Sequence, residues 1–220
     1  LRTPLALMQA QLELFSVEHP EVLPETAEFL GLLREQTERL SQLSQTLLEM
    51  NSLQSAPRTD RIQLGPMIEE IFTDLAPLAE QRGIVLEREG DAAMTGSDPL
   101  LYRMLFNLTE NAIKYNRPGG TVGVAVAREA SGLQIRIADT GCGIPAEHLP
   151  NVKKKFYKAN QLVRGSGIGL AVADEISVLH GGSLTVESRE GVGTTVTISL
   201  PTCRTLEEKP SLVKTQEILK

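Results

Sequence analysis

The spacing of apolar residues changes period along this chain, and the change divides what it can fold into. Up to Met50 the spacing is helical. Leu1, Leu5, Met8, Leu12 and Phe15 step by four and three, and a second stripe runs through Leu33, Gln36, Leu40, Leu43, Leu47 and Met50. Pro20 and Pro24 predict a turn between the two helices. Neither helix can bury its stripe alone. A hairpin that pairs with a second copy of itself gives a four-helix bundle; a hairpin packed on its own globular part is the alternative. After the break at Ser55 to Asp60 the pattern is mixed. Val122, Val124 and Val126 alternate, as do Leu133, Ile135 and Ile137, while Ile68, Ile71, Leu75 and Leu78 and then Leu101, Met104, Leu105 and Leu108 keep helical steps.

Short strands are predicted at Ile62 to Leu64 and Ile84 to Leu86. The two alternating runs form a hairpin, with turns at Pro118-Gly119-Gly120 and Ser131-Gly132. A helix is predicted from Gly165 to Leu179, then closing strands at 184–186 and 196–200 with Gly191 and Gly193 between them. Strands joined mostly by hairpins, with helices gathered together, indicate an α+β fold. A helical hairpin (1–56) precedes an α/β sandwich (57–201) with one mixed sheet covered by helices on one face, and a polar tail (202–220) follows. Sustained βα alternation is missing, which excludes a doubly wound sheet.

Composition narrows the class. Hydrophobic content of 41% is that of a globular protein, and no apolar run is long enough to span a bilayer. The first residues do not read as a signal peptide. Two cysteines, Cys142 and Cys203, make neither a disulfide framework nor a metal-ligand spacing. Lys+Arg 22 against Asp+Glu 28 gives −6, which argues against a nucleic-acid binder.

Three motifs between Asn107 and Leu170 carry the chemistry: NLTENAIKYN, DTGCGIP and GSGIGL. Asn107 and Asn111 are one helical turn apart and share a face, with Lys114 nearly on it. Asp139 follows a predicted strand; its carboxylate can accept a hydrogen bond from the 6-amino group of adenine, where guanine offers an acceptor. Gly141 and Gly143 let the backbone turn and approach a ring. Gly165, Gly167 and Gly169 open a helix, where exposed N–H groups and the helix dipole favour phosphate. Lys153, Lys154, Lys155, Lys158 and Arg164 supply positive charge nearby, with solvated surface charge as the plain alternative for each lysine. Alone, each motif is weak: paired asparagines are commonly a polar helix face, and an Asp-Gly turn is common at a strand end. His19, His148 and His180 are each most simply surface residues.

In this order the motifs resemble the N, G1 and G2 boxes of the sensor histidine kinases, a branch of the superfamily that includes gyrase and the Hsp90-type chaperones. Phe156-Tyr157-Lys158 resembles the family's F box, and Leu1 to Leu5 the end of its phosphoacceptor motif. The resemblance implies ATP and Mg²⁺, with Asn111 as metal ligand, Asn107 supporting the same end of the site, Lys114 reaching a phosphate and Tyr115 packing on adenine. It implies phosphate contacts from Gly165, Gly167, Ile168, Gly169 and Leu170, and from Lys158 and Arg164, with His148 to Arg164 as a lid over nucleotide. Gly193-Thr194-Thr195 resembles a weak G3 element to which no chemistry is assigned. The phosphoacceptor histidine would lie just upstream of Leu1, and Thr3 would help position water for dephosphorylating a partner regulator. The implied partners are a response-regulator receiver domain and a second copy of the chain through 1–56. The chain is then the cytoplasmic portion of a sensor anchored in the bacterial inner or plasma membrane through segments outside this sequence. The rival classes are an ATP-driven conformational machine, an anti-sigma serine kinase and a scaffold without kinase activity.

Overall fold

The computed structural model describes residues 2–19, 26–34, 36, 37, 40, 56–130, 132–159 and 167–201. The N-terminal part is helical: α1 is Arg2–Glu18 and α2 covers residues 26–34. Most of their described apolar side chains are exposed, Leu7 to 60% and Phe29 to 59%. Of the two stripes, Met8, Phe15, Leu33 and Leu40 are exposed in the single chain. The turn at Pro20 to Pro24, the stripe beyond Leu40 and the tail from Thr202 lie outside the described residues. Among the described residues no helix is long and apolar enough to cross a membrane.

The rest builds one mixed sheet and a small ribbon. β1 (Asp60–Gln63) pairs antiparallel with β3 (Ala93–Gly96). The larger sheet holds β2 (Val85–Glu89), β4 (Thr121–Glu129), β5 (Gly132–Asp139), β6 (Ser183–Arg189) and β7 (Gly193–Leu200), in the order β2-β4-β5-β7-β6. Only β2 and β4 run parallel in it. Three helices, α3 (Leu64–Arg82), α4 (Asp98–Lys114) and α5 (Gly169–Leu179), cover one face. Period-two alternation is the reason: Val122, Val124 and Val126 of β4 and Leu133, Ile135 and Ile137 of β5 are buried against Ile71, Leu75, Leu101, Met104 and Ile176. The edge strands are polar, Glu87-Arg88-Glu89 in β2 and Glu187 with Arg189 in β6.

Two helix starts differ from the sequence reading: that of α5, which begins at Gly169 with Gly167 before it at φ +68, and that of α3. Leu64 opens α3 instead of ending β1, because its N–H bonds Ala92 O (3.0 Å) and the next N–H, of Gly65, bonds Asp91 Oδ1 (2.7 Å). A carboxylate there satisfies a free helix-start donor and complements the dipole. β3 was not anticipated.

His180 corrects the reading of it as a surface residue. It is half-buried at the end of α5. Nε2 accepts the Ser97 N–H (3.1 Å) at the start of α4, and Nδ1 donates to Ile176 O (2.9 Å). Both ring nitrogens are occupied in the neutral form, so a second proton would face a donor. Burial pushes the imidazole pKa down, and the Arg58 charge pushes it the same way, against the hydrogen bond to Ile176. A histidine depressed in the fold binds a proton more readily unfolded. Its contribution is present above the ordinary value of 6.5 and is lost as pH falls through the lowered pKa. The melting temperature should decline on acidification below about 6.5, and His180→Gln should flatten that part of the profile. A slope unchanged by the substitution would refute this assignment.

Candidate functional site

A cavity of about 530 Å³ lies between α4, α5, the ends of β5 and β7 and the segment after Asp139. That size suits a bound small molecule. Its inner wall is apolar, from Ile137, Val196, Val186, Leu108, Val172 and Ile168. Polar groups enter from α4 (Arg103, Asn107, Glu110, Asn111, Lys114), from β5 (Asp139) and from the segment before residue 160 (Lys158).

Asp139 ends β5, as its pattern predicts. Its Oδ1 accepts the Gly141 N–H (2.8 Å) and the Thr194 N–H (3.2 Å). Among the described residues Oδ2 has no protein hydrogen bond, so one oxygen of this cavity-lining carboxylate is fixed and the other is unpaired. Burial pushes the carboxyl pKa up, and the two backbone hydrogen bonds partly restore it. Gly141 does not line the cavity. It packs beneath Asp139, where a Cβ would collide with Tyr115 O and come within 2.8 Å of Asp139 Oδ1. Gly143 does line it, at φ +67, a conformation that suits glycine. Tyr115 lies beside them, half-buried, its hydroxyl pKa raised first by burial and then by Cys142. Cys142 is a free, exposed thiol on the same wall.

The other end is where α4 meets α5. Asn107 and Asn111 share one face of α4, and the nearest atoms to a Cβ built on Gly169 are Asn111 Nδ2 (3.3 Å) and Asn107 Cβ (3.7 Å). Glycine at the first turn of α5 lets the two helices approach this closely. Neither asparagine amide carries a hydrogen bond within the described residues. Lys114 Nζ pairs with Glu110 Oε1 at 2.8 Å.

The segment predicted as a lid is held by contacts among its described residues. Phe156, at φ +66, donates its N–H to Gly167 O (2.9 Å), which joins the two feet of the segment. Tyr157 OH lies 2.6 Å from His148 Nδ1, so His148 is also a partnered residue and not a plain surface one. The lysine cluster needs correction. Lys153 bonds Asp174 (2.7 Å) and Leu184 O (2.9 Å), and Lys155 pairs with Glu175 (3.6 Å). Both anchor the segment to the sheet and α5. Of these cluster lysines and Lys158, only Lys158 lines the cavity.

The structure thus gathers Asn107, Asn111, Lys114, Tyr115, Asp139, Gly143, Lys158, Gly167, Ile168, Gly169 and Leu170 on one cavity. Arg164 and Gly165, and the side chain of Thr3 on α1, lie outside the described residues. Sequence reasoning missed Arg103 and Glu110, and it assigned no chemistry to Thr194, which lines the cavity and donates to Asp139. Glu110 was findable, since it lies three residues after Asn107 and four before Lys114 on the same face.

Residues 96–204 match the family model of the histidine kinase-, DNA gyrase B- and HSP90-like ATPases. Sensor histidine kinase RppB of Synechocystis is 33% identical over 211 residues, which is 91% of this chain and 46% of that protein. Sensor histidine kinase CusS of Escherichia coli K12 is 30% identical over 209 residues, 91% of this chain and 43% of that protein. The mycobacterial sensor histidine kinase MprB superposes with a TM-score of 0.57 at 29% identity, covering 65% of this chain and 97% of that structure. The chain spans under half the length of the RppB and CusS relatives. Three boxes far apart in sequence converge on one cavity, and relatives of one kind align along most of the chain: it belongs to the sensor histidine kinases and carries their ATP-binding catalytic domain.

Proposed function

We propose that the chain is the catalytic part of an ATP-dependent protein histidine kinase in a two-component pathway. The observation that supports this most is the approach of Gly169 to Asn111 and Asn107 at one end of a cavity whose other end presents an unpaired oxygen of Asp139. Such a site offers base recognition at one end and phosphate recognition at the other. Asp139 Oδ2 accepts from the adenine 6-amino group, and Tyr115 packs on the ring. The phosphates lie toward the start of α5, where Gly167, Ile168, Gly169 and Leu170 present backbone N–H groups, and the resemblance adds Gly165 to them. Lys114, Lys158 and Arg164 add charge. Asn111 holds Mg²⁺: its side-chain oxygen is hard, neutral and free of protein hydrogen bonds among the described residues, which suits an ion bound mainly by phosphate and water. When bound, the ion neutralises phosphate charge. Asn107 supports the same end.

The γ-phosphoryl group passes to a histidine preceding Leu1, as the resemblance of Leu1-Arg2-Thr3-Pro4 to the end of the phosphoacceptor motif suggests. It then moves to an aspartate on a receiver domain. Residues 1–56 form the homodimeric hairpin, and their exposed stripes support that reading; 57–201 form the ATP-binding domain. The same reading makes the chain the cytoplasmic portion of a protein anchored in the bacterial inner or plasma membrane.

The test uses a chain extended upstream through the histidine and incubated with γ-labelled Mg·ATP. Label stable in base and lost in acid identifies phosphohistidine. Bound ATP without transferred label would replace this reading with an ATP-driven switch or scaffold. On the same reading, Thr3→Ala should lower phosphatase activity toward a phosphorylated receiver by at least about tenfold through lost positioning of water, with autophosphorylation unchanged. Equal loss of both activities would sink that role.

A further inference from the structure

We propose that Glu110 sets how strongly the phosphate chain of a nucleotide is held, by competing with it for Lys114. The inference rests on the reading of Lys114 as a phosphate contact. Glu110 lies one turn before Lys114 on α4, and both side chains line the cavity. Their charged atoms are 2.8 Å apart, with the side chains 29% and 28% exposed. Glutamate four residues before lysine is the favourable order on a helix, so the pair forms without strain. Asn107 and Asn111 on the same face are neutral, and Glu110 is the one acidic residue of α4 that lines the cavity.

A polyphosphate at this face meets that charge directly. An ammonium has three donors, so Lys114 could serve both partners at once. The carboxylate would then stand beside the phosphate, and like charges at such separation repel strongly where water is partly excluded. If Lys114 turns fully to the phosphate, the pair with Glu110 is lost instead. Either way Glu110 opposes the gain. The effect scales with phosphate charge and does not touch the base, so Glu110 determines how far ATP exceeds adenosine in affinity.

The experiment measures ATP and adenosine binding by calorimetric titration and displacement. It uses the whole chain and its Glu110→Gln, Lys114→Met and double variants, with Mg²⁺ and with a chelator. Glu110→Gln should tighten ATP about two- to fivefold, the range expected for releasing a partly exposed ion pair. The gain should appear with the chelator present, leave adenosine unchanged and shrink in the Lys114→Met background. ATP affinity that is unchanged or weaker in Glu110→Gln overturns the proposal; weakening only with Mg²⁺ would make Glu110 a metal ligand instead. Should Lys114→Met leave ATP affinity intact while Asp139→Asn abolishes adenosine binding, the nucleotide site stands and the Lys114 contact falls, with this proposal. If the unaltered chain binds neither ligand, the nucleotide reading itself fails.

Discussion

Asp139→Asn should weaken ATP about ten- to hundredfold, the loss expected for a hydrogen bond to a charged group. Oδ1 is committed to the N–H groups of Gly141 and Thr194. An amide at this position must keep its single oxygen there, which turns its NH₂ toward the cavity. A donor then faces the adenine 6-amino donor. The same NH₂ would suit the O6 acceptor of guanine, so the preference for ATP over GTP should narrow or reverse. Folding should not suffer. Burial raises the Asp139 pKa, so the fold favours the uncharged carboxyl; that contribution is present below the ordinary 3.8 and is lost as pH rises through the raised value. A neutral amide avoids the loss, and the melting temperature at neutral pH should hold or rise. Titration with both nucleotides decides it, and an unchanged ratio of affinities would remove Asp139 from base recognition.

Gly141→Ala should damage both fold and site, though Gly141 touches no cavity. A Cβ there meets Tyr115 O, Asp139 Oδ1 and the Asn116 Cα, and two of the three are backbone atoms that cannot swing aside. Overpacking of this kind costs about 1–3 kcal/mol, here toward the upper end. The melting temperature should drop by roughly 5–10 °C, and ATP affinity should fall with it, because the strained backbone carries the Gly141 N–H that holds Asp139 Oδ1. Gly123→Ala is the control: nothing lies within 4 Å of its Cβ, and it should behave like the unaltered protein. Equal behaviour of the two variants would show that the segment yields at low cost.

Local signals carried most of the site. Asn107, Asn111 and Lys114 were legible because helical spacing alone puts them on one face, and Asp139 because alternation marks where β5 ends. The hairpin of β4 and β5 followed from its turns. What depends on distant partners was not legible. Lys153 and Lys155 look like free charge in sequence, and only folding brings Asp174 and Glu175 to them. His180 could not be linked to Ser97 across 83 positions. β3 is four residues long, ends in glycine and is defined by its pairing with β1, so no periodicity announced it. Alternation identified the buried residues but could not say that Ile137 and Val196 also form the wall of a cavity.

Among the described residues the five-stranded sheet ends on one side in β2 and on the other in β6, each bonded to a single neighbour. A free edge invites a strand from another molecule. Here such a guest would have to seat its backbone against Glu87, Arg88 and Glu89, or against Glu187 and Arg189, and strip water from those charges. Sheet-to-sheet polymerisation is thereby discouraged at both ends. Copies of this protein can be crowded together at high local concentration without their catalytic domains fusing into fibrils, and whatever assembly they adopt has to use other surfaces.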